Sequence, residues 1–192
     1  MEQEARRAVG GTAGVDLVPL SAGTDPRLLA AVLSLRVLPE QERWSVPPAE
    51  VFTAATADPL RTPFAVLAAG TPVGFGVLDR GTALERLLDD PSRGVLLRAF
   101  TVDGAVQGRG HGTAAARGVR SLAAAVAPGA ELVVLTVHED NPAALRAYAR
   151  AGFADTGARH LTEPGRPQAV LVAAVLPRRS GPGQRAATAP RR

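Results

Sequence analysis

The chain has 192 residues, of which 46% are hydrophobic, and this is enough to bury one substantial core. It contains no cysteine, which excludes disulfides, thiolate metal sites and a cysteine nucleophile, and we expect no metal. The formal net charge is +4, but five arginines lie in residues 178–192 without an acidic residue, so the rest of the chain is close to neutral.

The two ends of the chain differ in composition from its middle. Residues 1–14 carry mixed charges and no apolar run, which predicts a flexible N-terminus instead of a secretory signal. Residues 178–192 are rich in Pro, Gly, Ala and Arg, which predicts a disordered basic tail. No run of about 18 apolar residues occurs, and no basic face is interleaved with aromatics. We therefore expect one cytoplasmic domain at 15–177, with no membrane or nucleic-acid partner.

The first half of the chain alternates strand and helix patterns. Asp25 and Pro26 begin an apolar-periodic helix that is predicted to run to about Val37. Three prolines interrupt residues 38–48, and in the short helix that follows Val51 and Phe52 face inward. The other predicted elements are strands at 15–20, 64–68 and 73–78, the helix at 49–57, a hairpin turn at 69–72 and a polar, partly helical excursion at 82–90.

A glycine-rich segment follows the strand pattern at 95–102 and opens a helical pattern at 110–127. It consists of Gln107, Gly108, Arg109, Gly110, His111 and Gly112. Glycines let the backbone turn sharply with exposed N–H groups, and a helix N-terminus adds unpaired donors and partial positive charge. Such a segment suits a phosphate or pyrophosphate. The alternative is that the glycines only make a tight loop.

Two other phosphate-binding motifs fit this segment poorly. A Walker loop needs a lysine, but all 22 basic residues of the chain are arginine. A dinucleotide-binding unit needs Gly-x-Gly-x-x-Gly and an acidic residue about twenty positions on. The glycine spacing here differs, and Glu131 stands at the start of the next strand pattern instead of its end.

The second half of the chain contains a well-marked helix between strand patterns. Asn141 suits the N-cap, Pro142 the first helical position and Gly152 the left-handed residue after the end. Tyr148, the sole tyrosine, lies two helical turns after Asn141 and so near the same face. Strands are predicted at 132–137, 153–161 and 169–176. The alternation of strands and helices predicts a single α/β domain with a mixed sheet.

These two motifs resemble the GNAT acetyltransferase superfamily. The resemblance is carried by Gln107, Gly110 and Gly112 in the first motif and by Asn141, Ala144, Tyr148, Gly152 and Phe153 in the second. It covers residues 95–153 and, by element order, roughly 15–176. Residues 98–103 with the glycine loop, and residues 39–42, are also similar to the spermine/spermidine-type acetyltransferases.

The resemblance implies a fold and an acetyl donor. The fold would be α/β (α+β), with a mixed, mostly antiparallel sheet whose central strands splay apart between helices. The donor would be acetyl-CoA, with its pyrophosphate at residues 107–112. Main-chain groups of Phe100, Thr101 and Val102, near a bulge at 101–102, would bind pantetheine and offer an oxyanion donor. Asn141 and Ala144 would approach from the facing side.

Acetyl transfer to an amine needs a proton donor for the thiolate and a proton acceptor for the amine. Tyr148 is the candidate donor, because the resemblance implies that it lies beside the CoA sulfur; the alternative is a tyrosine packed for its ring. His138 and Glu139 follow the strand at 132–137 and are the nearest candidate acceptors, with Asp103 behind them. Each could instead be a solvated loop residue, and a water chain could take the proton.

The acceptor is expected to be the primary amine of a small molecule, with polyamines as the first class to test. Acidic side chains that could meet a polycation are Glu40, Glu42, Glu50, Glu85, Asp89 and Asp90, although ordinary surface charges explain them equally well. Alternative functions are acetylation of aminoglycosides or peptide N-termini, a non-catalytic acyl-CoA-binding regulator, and an adaptor that uses the arginine tail. Pairing through the closing strands would allow a homodimer.

Overall fold

The computed structural model describes residues 9–12, 14–161 and 166–176. Within these residues the strands are β1 Val9–Thr12, β2 Val15–Pro19, β3 Arg61–Ala68, β4 Thr71–Asp79, β5 Gly94–Val102, β6 Leu132–His138, β7 Ala154–Leu161 and β8 Pro167–Ala174. The α-helices are α1 Pro26–Leu33, α2 Pro48–Ala57, α3 His111–Val126 and α4 Pro142–Ala151. Short 3-10 helices lie at Pro39–Trp44, Thr82–Arg86, Pro91–Arg93 and Gly104–Val106.

The strands form one sheet in the order β1-β2-β3-β4-β5-β6-β8-β7. Neighbouring strands are antiparallel except β5 and β6, which run parallel. Their pairing covers only residues 94–96 of β5 and 132–134 of β6, and beyond it the two strands no longer pair with each other. The expected mixed, mostly antiparallel sheet with splayed central strands is therefore confirmed.

Helices cover both faces of the sheet and bury most of its apolar side chains. Helix α3 packs Ala115, Val119 and Leu122 against the face that carries Val95 of β5 and Val133 of β6, as its apolar spacing predicts. Val126, the fourth residue of the predicted stripe, is partly buried at the rim of the same cluster. The opposite face is covered by α1 and α2, where Phe52 is buried and Val51 is partly buried. The sheet thus lies between two layers of helices.

Helix α1 ends at Leu33, four residues before the predicted end at Val37. The backbone N–H of Arg36 donates to Asp103 Oδ2 at 3.2 Å, and Gly104 N donates to Arg36 O at 2.7 Å. These bonds to the segment after β5 replace further helical turns. The predicted length was wrong because this competition is tertiary and leaves no local signal.

Other boundaries lie close to those predicted, with one addition. The turn between β3 and β4, and the limits of α2, α3 and α4, fall within two residues of the expected positions. Strand β1 was not predicted; it lies in the segment 1–14 and pairs with β2. The tail at 178–192 lies outside the described residues, so the expected domain limits stay predictions. None of the described helices combines the length and the apolar character needed to cross a membrane.

Candidate active site

A cleft of about 710 Å³ opens where β5 and β6 separate. Its walls are the end of β5, the glycine loop and the start of α3 on one side, and α4 on the other. The 3-10 helix Pro39–Trp44, which we call the bridging helix, covers its outer end. The predicted site residues that line it are Phe100, Thr101, Val102, Gln107, Gly108, Arg109, Gly110, His111, Gly112, Asn141, Ala144 and Tyr148.

The glycine loop has the geometry of an anion cradle. Gly108 and Gly110 adopt left-handed φ angles of +78° and +85°, and Gly110 is the N-cap of α3. A Cβ at either position would meet nothing within 4 Å, so the backbone angle and not a lack of space calls for glycine. The first main-chain bond of α3 runs from Ala114 N to Gly110 O at 3.0 Å. The N–H groups of residues 111–113 therefore lack acceptors within the helix and can bind an anion.

The Gln107 side chain turns away from this cradle. It forms a reciprocal amide pair with Gln41 of the bridging helix, with N···O distances of 2.7 and 2.9 Å. Its Nε2 also donates to Val102 O at 3.0 Å. Gln107 thus joins the loop, the end of β5 and the bridging helix, and these bonds engage its side chain away from the cradle. The sequence pattern at residues 39–42 includes Gln41 but does not indicate its pairing with Gln107, because the two residues are 66 positions apart.

A bulge in β5 sets the cleft wall. Arg98 pairs with Val77 and Thr101 with Phe75, so two residues of β5 lie opposite Gly76 of β4. Ala99, one of the two, has a φ of +49°. The bulge was expected at 101–102 and lies two residues earlier. After it, Thr101 is only 3% exposed, and its Oγ1 lies 3.1 Å from Ser45 Oγ, beside the bridging helix.

Tyr148 and Asn141 approach the cleft from α4 on one helical face, as the spacing predicts. The Tyr148 ring packs against Phe100 and Phe153, with centroid distances of 6.2 and 5.7 Å. Burial raises the pKa of the Tyr148 phenol, so this hydroxyl stays protonated and able to donate at neutral pH. Asn141 Oδ1 accepts from Ala144 N at 3.1 Å and caps the helix, which leaves the Asn141 amide N–H groups for the cleft.

Four guanidinium groups line the cleft, and among the described residues no carboxylate does. They belong to Arg109 of the loop, Arg117 of α3, and Arg146 and Arg150 of α4. Arg117 donates to the Arg150 carbonyl through Nε and Nη2, at 3.1 and 2.7 Å, and so fastens α3 to α4. A cleft lined by one sign of charge raises the local concentration of the opposite charge, here an anion.

The structure does not bring His138 and Glu139 into the cleft lining. The His138 Nε2 lies 2.9 Å from Gln168 Nε2, and its Nδ1 is buried without a hydrogen-bond partner in the described chain. Desolvation, helped by Arg166, lowers the pKa of His138. The Glu139 carboxylate is exposed and bonds Arg159 at 2.7 Å. Asp103, the third candidate, accepts from Arg36 N and Ala105 N instead of facing the cleft. The predicted acceptor roles of these residues are not favoured by this geometry.

A second, smaller cavity of about 290 Å³ adjoins the cleft. Val37, Ser45 and Thr101 line both spaces. The remaining walls are Leu35, Arg36, Glu42, Pro47 and Pro48. Of these, the sequence had singled out only Glu42, as one of several acids that could meet a polycation.

The far end of the bridging helix is tied to the loop before α4. Trp44 Nε1 donates to Asp140 Oδ1 at 2.9 Å, and the Arg43 guanidinium lies 4.2 Å from the centre of the Trp44 ring. Asp140 Oδ2 also lies 3.8 Å from Arg43 and 3.3 Å from Arg166. The bridging helix therefore spans both walls of the cleft, through Gln41 on one side and Trp44 on the other.

Comparison with known proteins agrees with this architecture. The model of the Acetyltransferase (GNAT) family matches residues 29–153. A structure of AAC(6')-Ib in complex with paromomycin and acetyl-CoA has a TM-score of 0.63 and 21% identity, covering 84% of this chain and 93% of that one. A spermidine N-acetyltransferase SpeG chimera from Vibrio cholerae and hSSAT gives 0.58 and 16%, covering 84% and 96%.

A ribosomal L7/L12 alpha-N-protein acetyltransferase, RimL, has a TM-score of 0.61 at 12% identity, covering 88% of this chain and 95% of its own. At these identities the solved structures share the fold. No curated protein matches the chain.

Proposed function

Because the chain belongs to the acetyltransferase (GNAT) family, we propose that it transfers the acetyl group of acetyl-CoA directly to a primary amine of a small molecule. One observation carries this proposal. The larger cleft brings together an anion-binding loop, a strand edge that is not paired with β6 and a buried phenol. These are the parts that a phosphate-bearing thioester donor needs.

The donor is proposed to lie along the splayed edge of β5. Its pyrophosphate would accept from the N–H groups of the 107–112 loop and the start of α3, with the arginines nearby. Beyond residue 96 the β5 edge no longer pairs with β6, so main-chain groups of Phe100, Thr101 and Val102 remain for pantetheine. The AAC(6')-Ib structure, which contains acetyl-CoA, shares this fold and supports the placement.

The chemistry follows from the residues at the middle of the cleft. The amine nitrogen attacks the thioester carbonyl carbon, and the carbon–sulfur bond then breaks. Main-chain N–H groups near Thr101 would stabilise the oxyanion, because main-chain donors have this role in other acyl-transfer enzymes. Tyr148, kept protonated by burial, would give its proton to the departing sulfur and regain one from the amine.

The amine must lose protons to react. An amine with a pKa near 10.4 is only about 0.04% neutral at pH 7, which corresponds to roughly 4.6 kcal/mol. The proposed acceptors His138 and Glu139 are engaged elsewhere, by Gln168 and Arg159. The larger cleft offers no carboxylate within the described residues. The lack of a proton acceptor in the larger cleft favours a second candidate function, in which the protein is a regulator that binds acyl-CoA without turning it over.

Thiol release separates the two candidates. The protein with acetyl-CoA is offered spermidine, an aminoglycoside, amino acids and a peptide with a free N-terminus. The enzyme releases thiol with at least one of them, and that product carries one acetyl group. A protein that binds acetyl-CoA tightly but releases no thiol with any acceptor is the regulator. Polyamines stay in this panel as the class indicated by the sequence, although the arginine-rich lining does not favour a polycation.

A further inference from the structure

The bridging helix presents two different faces to two different spaces. In a 3-10 helix, side chains three residues apart lie above one another. Gln41 and Trp44 form one such pair and line the larger cleft, whereas Glu42 lines only the smaller cavity. Ser45, the extended residue that follows the helix, lines both spaces. The bond from Ser45 Oγ to Thr101 Oγ1, at 3.1 Å, holds the second face against β5 just after its bulge. The smaller cavity therefore opens beside the strand segment where the thioester is proposed to lie.

Two opposite charges line this smaller cavity without pairing to each other. Glu42 is the sole carboxylate on the described lining of either space, and its side chain forms no ion pair or hydrogen bond within the described part of the chain. The Arg36 guanidinium is held by Nη1, which donates to Leu33 O at 3.2 Å and Leu35 O at 2.9 Å. No described carboxylate pairs with it, so its other N–H groups remain for a ligand. The rest of the lining consists of the apolar side chains of Leu35, Val37, Pro47 and Pro48 and of Ser45 and Thr101, whose hydroxyl groups bond to each other.

We propose that the smaller cavity binds the acetyl acceptor, and that this acceptor is an amino acid with an apolar side chain. The inference rests on the proposed acetyltransferase function and names its substrate class. The ammonium group meets Glu42, the carboxylate meets Arg36, and the side chain lies against the apolar walls. Spermidine or an aminoglycoside carries several cations, whereas this lining offers one carboxylate and one guanidinium. A peptide N-terminus lacks the α-carboxylate that Arg36 would bind.

Glu42 also supplies the missing proton acceptor. It takes one proton from the ammonium group and passes it to solvent, which leaves the nitrogen lone pair free to form the carbon–nitrogen bond. As the carbon–sulfur bond breaks, Tyr148 gives its proton to the sulfur. The second proton that the nitrogen loses restores the Tyr148 phenol. The products are the N-acetylated amino acid, CoA thiol and one proton released to solvent.

Calorimetry on the CoA-loaded protein tests the proposal without requiring turnover. The ligands are leucine, leucinamide, 3-methylbutylamine and spermidine, which share an amine but differ in carboxylate and in charge. Leucine is expected to bind about tenfold or more tightly than leucinamide and 3-methylbutylamine, because only leucine offers a carboxylate to Arg36. Equal or tighter binding of leucinamide, 3-methylbutylamine or spermidine, or failure of leucine to bind, overturns the assignment.

Two variants test the proposed roles of the two charged side chains, Arg36 and Glu42, separately. Arg36→Gln should remove the preference for leucine over leucinamide while leaving leucinamide binding within about twofold. Glu42→Gln should weaken all four ligands and lower kcat for any accepted amine. Matched controls are Arg27→Gln on α1 and Glu50→Gln on α2, which lie outside both linings. Unchanged leucine selectivity in Arg36→Gln contradicts the proposal even where the wild-type binds leucine.

The experiments distinguish failure of the substrate assignment from failure of the proposed enzymatic function. If leucine binds through Arg36 and Glu42 but releases no thiol from acetyl-CoA, the proposed enzymatic function fails and the cavity assignment stands. If another amine releases thiol while leucine does not bind, the substrate assignment fails and the enzyme stands.

Discussion

Tyr148 combines burial, a protonated hydroxyl and a place in the cleft, and each property follows from its position on α4. Its ring is held between Phe100 and Phe153, so it contributes to packing as well as to chemistry. Removing the hydroxyl alone separates the two contributions. The phenylalanine ring keeps the aromatic contacts, whereas the proton donor is lost.

We expect Tyr148→Phe to lower kcat by about a hundredfold, within the range for loss of a general acid. The KM for acetyl-CoA and the unfolding temperature should change little. Steady-state thiol release and thermal unfolding measure these quantities. His138→Ala and Glu139→Gln serve as comparison variants, and each should retain kcat within about threefold because neither residue lines the cleft. Unchanged turnover in Tyr148→Phe would remove its assigned role.

At Gly110, the backbone angle affects both the stability of the protein and the geometry of the anion cradle. An alanine there must adopt a left-handed φ near +85°, which costs about 1–2 kcal/mol. We expect Gly110→Ala to lose stability by this amount and to bind acetyl-CoA at least about tenfold more weakly, since the N–H groups of the cradle shift.

Gly129 provides the matched control for that strain. It has a φ of +91° and open space around the Cβ position, but it lies in the loop after α3, away from the cleft. Gly129→Ala should lose similar stability and keep acetyl-CoA affinity. Chemical denaturation and calorimetry give both quantities, and equal loss of affinity in the two variants would refute the cradle.

At the scale of elements, the bridging helix controls how the two cavities relate. One end is fixed by the Gln41–Gln107 amide pair, and the other by the bond from Trp44 to Asp140. Since it faces both spaces, we expect its position to set the proposed donor and acceptor sites together. Trp44 is the sole tryptophan of the chain, so its fluorescence reports on this element directly.

Asp140→Ala should release the Trp44 end of the bridging helix. We expect emission at longer wavelength in the free protein, because the indole gains contact with water, and a several-fold rise in acceptor KM with little change in acetyl-CoA affinity. Glu85→Ala, remote from the cleft, is the control and should leave emission unchanged. An Asp140→Ala protein whose emission and KM match the wild-type would show that this bond does not position the helix.

The same contact predicts a pH dependence. Although desolvation acts in the opposite sense, hydrogen bonds from Trp44 and Arg166 lower the pKa of the Asp140 carboxyl. A lowered pKa in the folded state means that this contact is present above the ordinary carboxyl pKa, near 3.9, and is lost as the pH falls through the lower folded value. Trp44 emission should therefore stay constant from pH 7 to about 4 and shift only below that. A shift centred between pH 5 and 7 would assign the titration to another group.

Local signals predicted the elements well, and tertiary contacts account for what they missed. Helix α4 begins and ends where Asn141 and Gly152 indicate, because caps act within a few residues. The end of α1 and the role of Gln41 depend on partners about 66 residues away, which no periodicity reveals. His138 follows Val137 in a strand, where alternate side chains face opposite ways, and Val137 faces α3. His138 therefore does not line the cleft, although it is the last residue of a strand that borders it, and its role as proton acceptor stays a prediction.

At the scale of the whole molecule, charge is divided between regions. Four arginines line the cleft. The five arginines of residues 178–192 account for the positive net charge of the protein, because the rest of the chain is close to neutral. If the tail takes no part in donor binding, truncation after Pro177 should leave acetyl-CoA affinity unchanged.

Strand β7 forms one edge of the sheet, and Leu161 at its end is 71% exposed. Homodimer formation through this edge stays a prediction that sedimentation can test.

The division of charge makes donor binding sensitive to salt. Exposed charges are screened over about 10 Å at 0.1 M ionic strength, so the attraction between the arginine-lined cleft and a phosphate-rich donor weakens as salt rises. We expect the dissociation constant of acetyl-CoA to increase steadily between 0.05 and 0.5 M NaCl, values at which the Debye length falls from about 14 to about 4 Å. The double variant Arg146→Gln/Arg150→Gln should bind acetyl-CoA several-fold more weakly at low salt and show a shallower dependence of the dissociation constant on salt.

The exposed Arg86, which lies outside the cleft lining, is the control, and Arg86→Gln should follow the wild-type curve. Parallel curves for all three proteins would mean that these two guanidinium groups face solvent and not the donor.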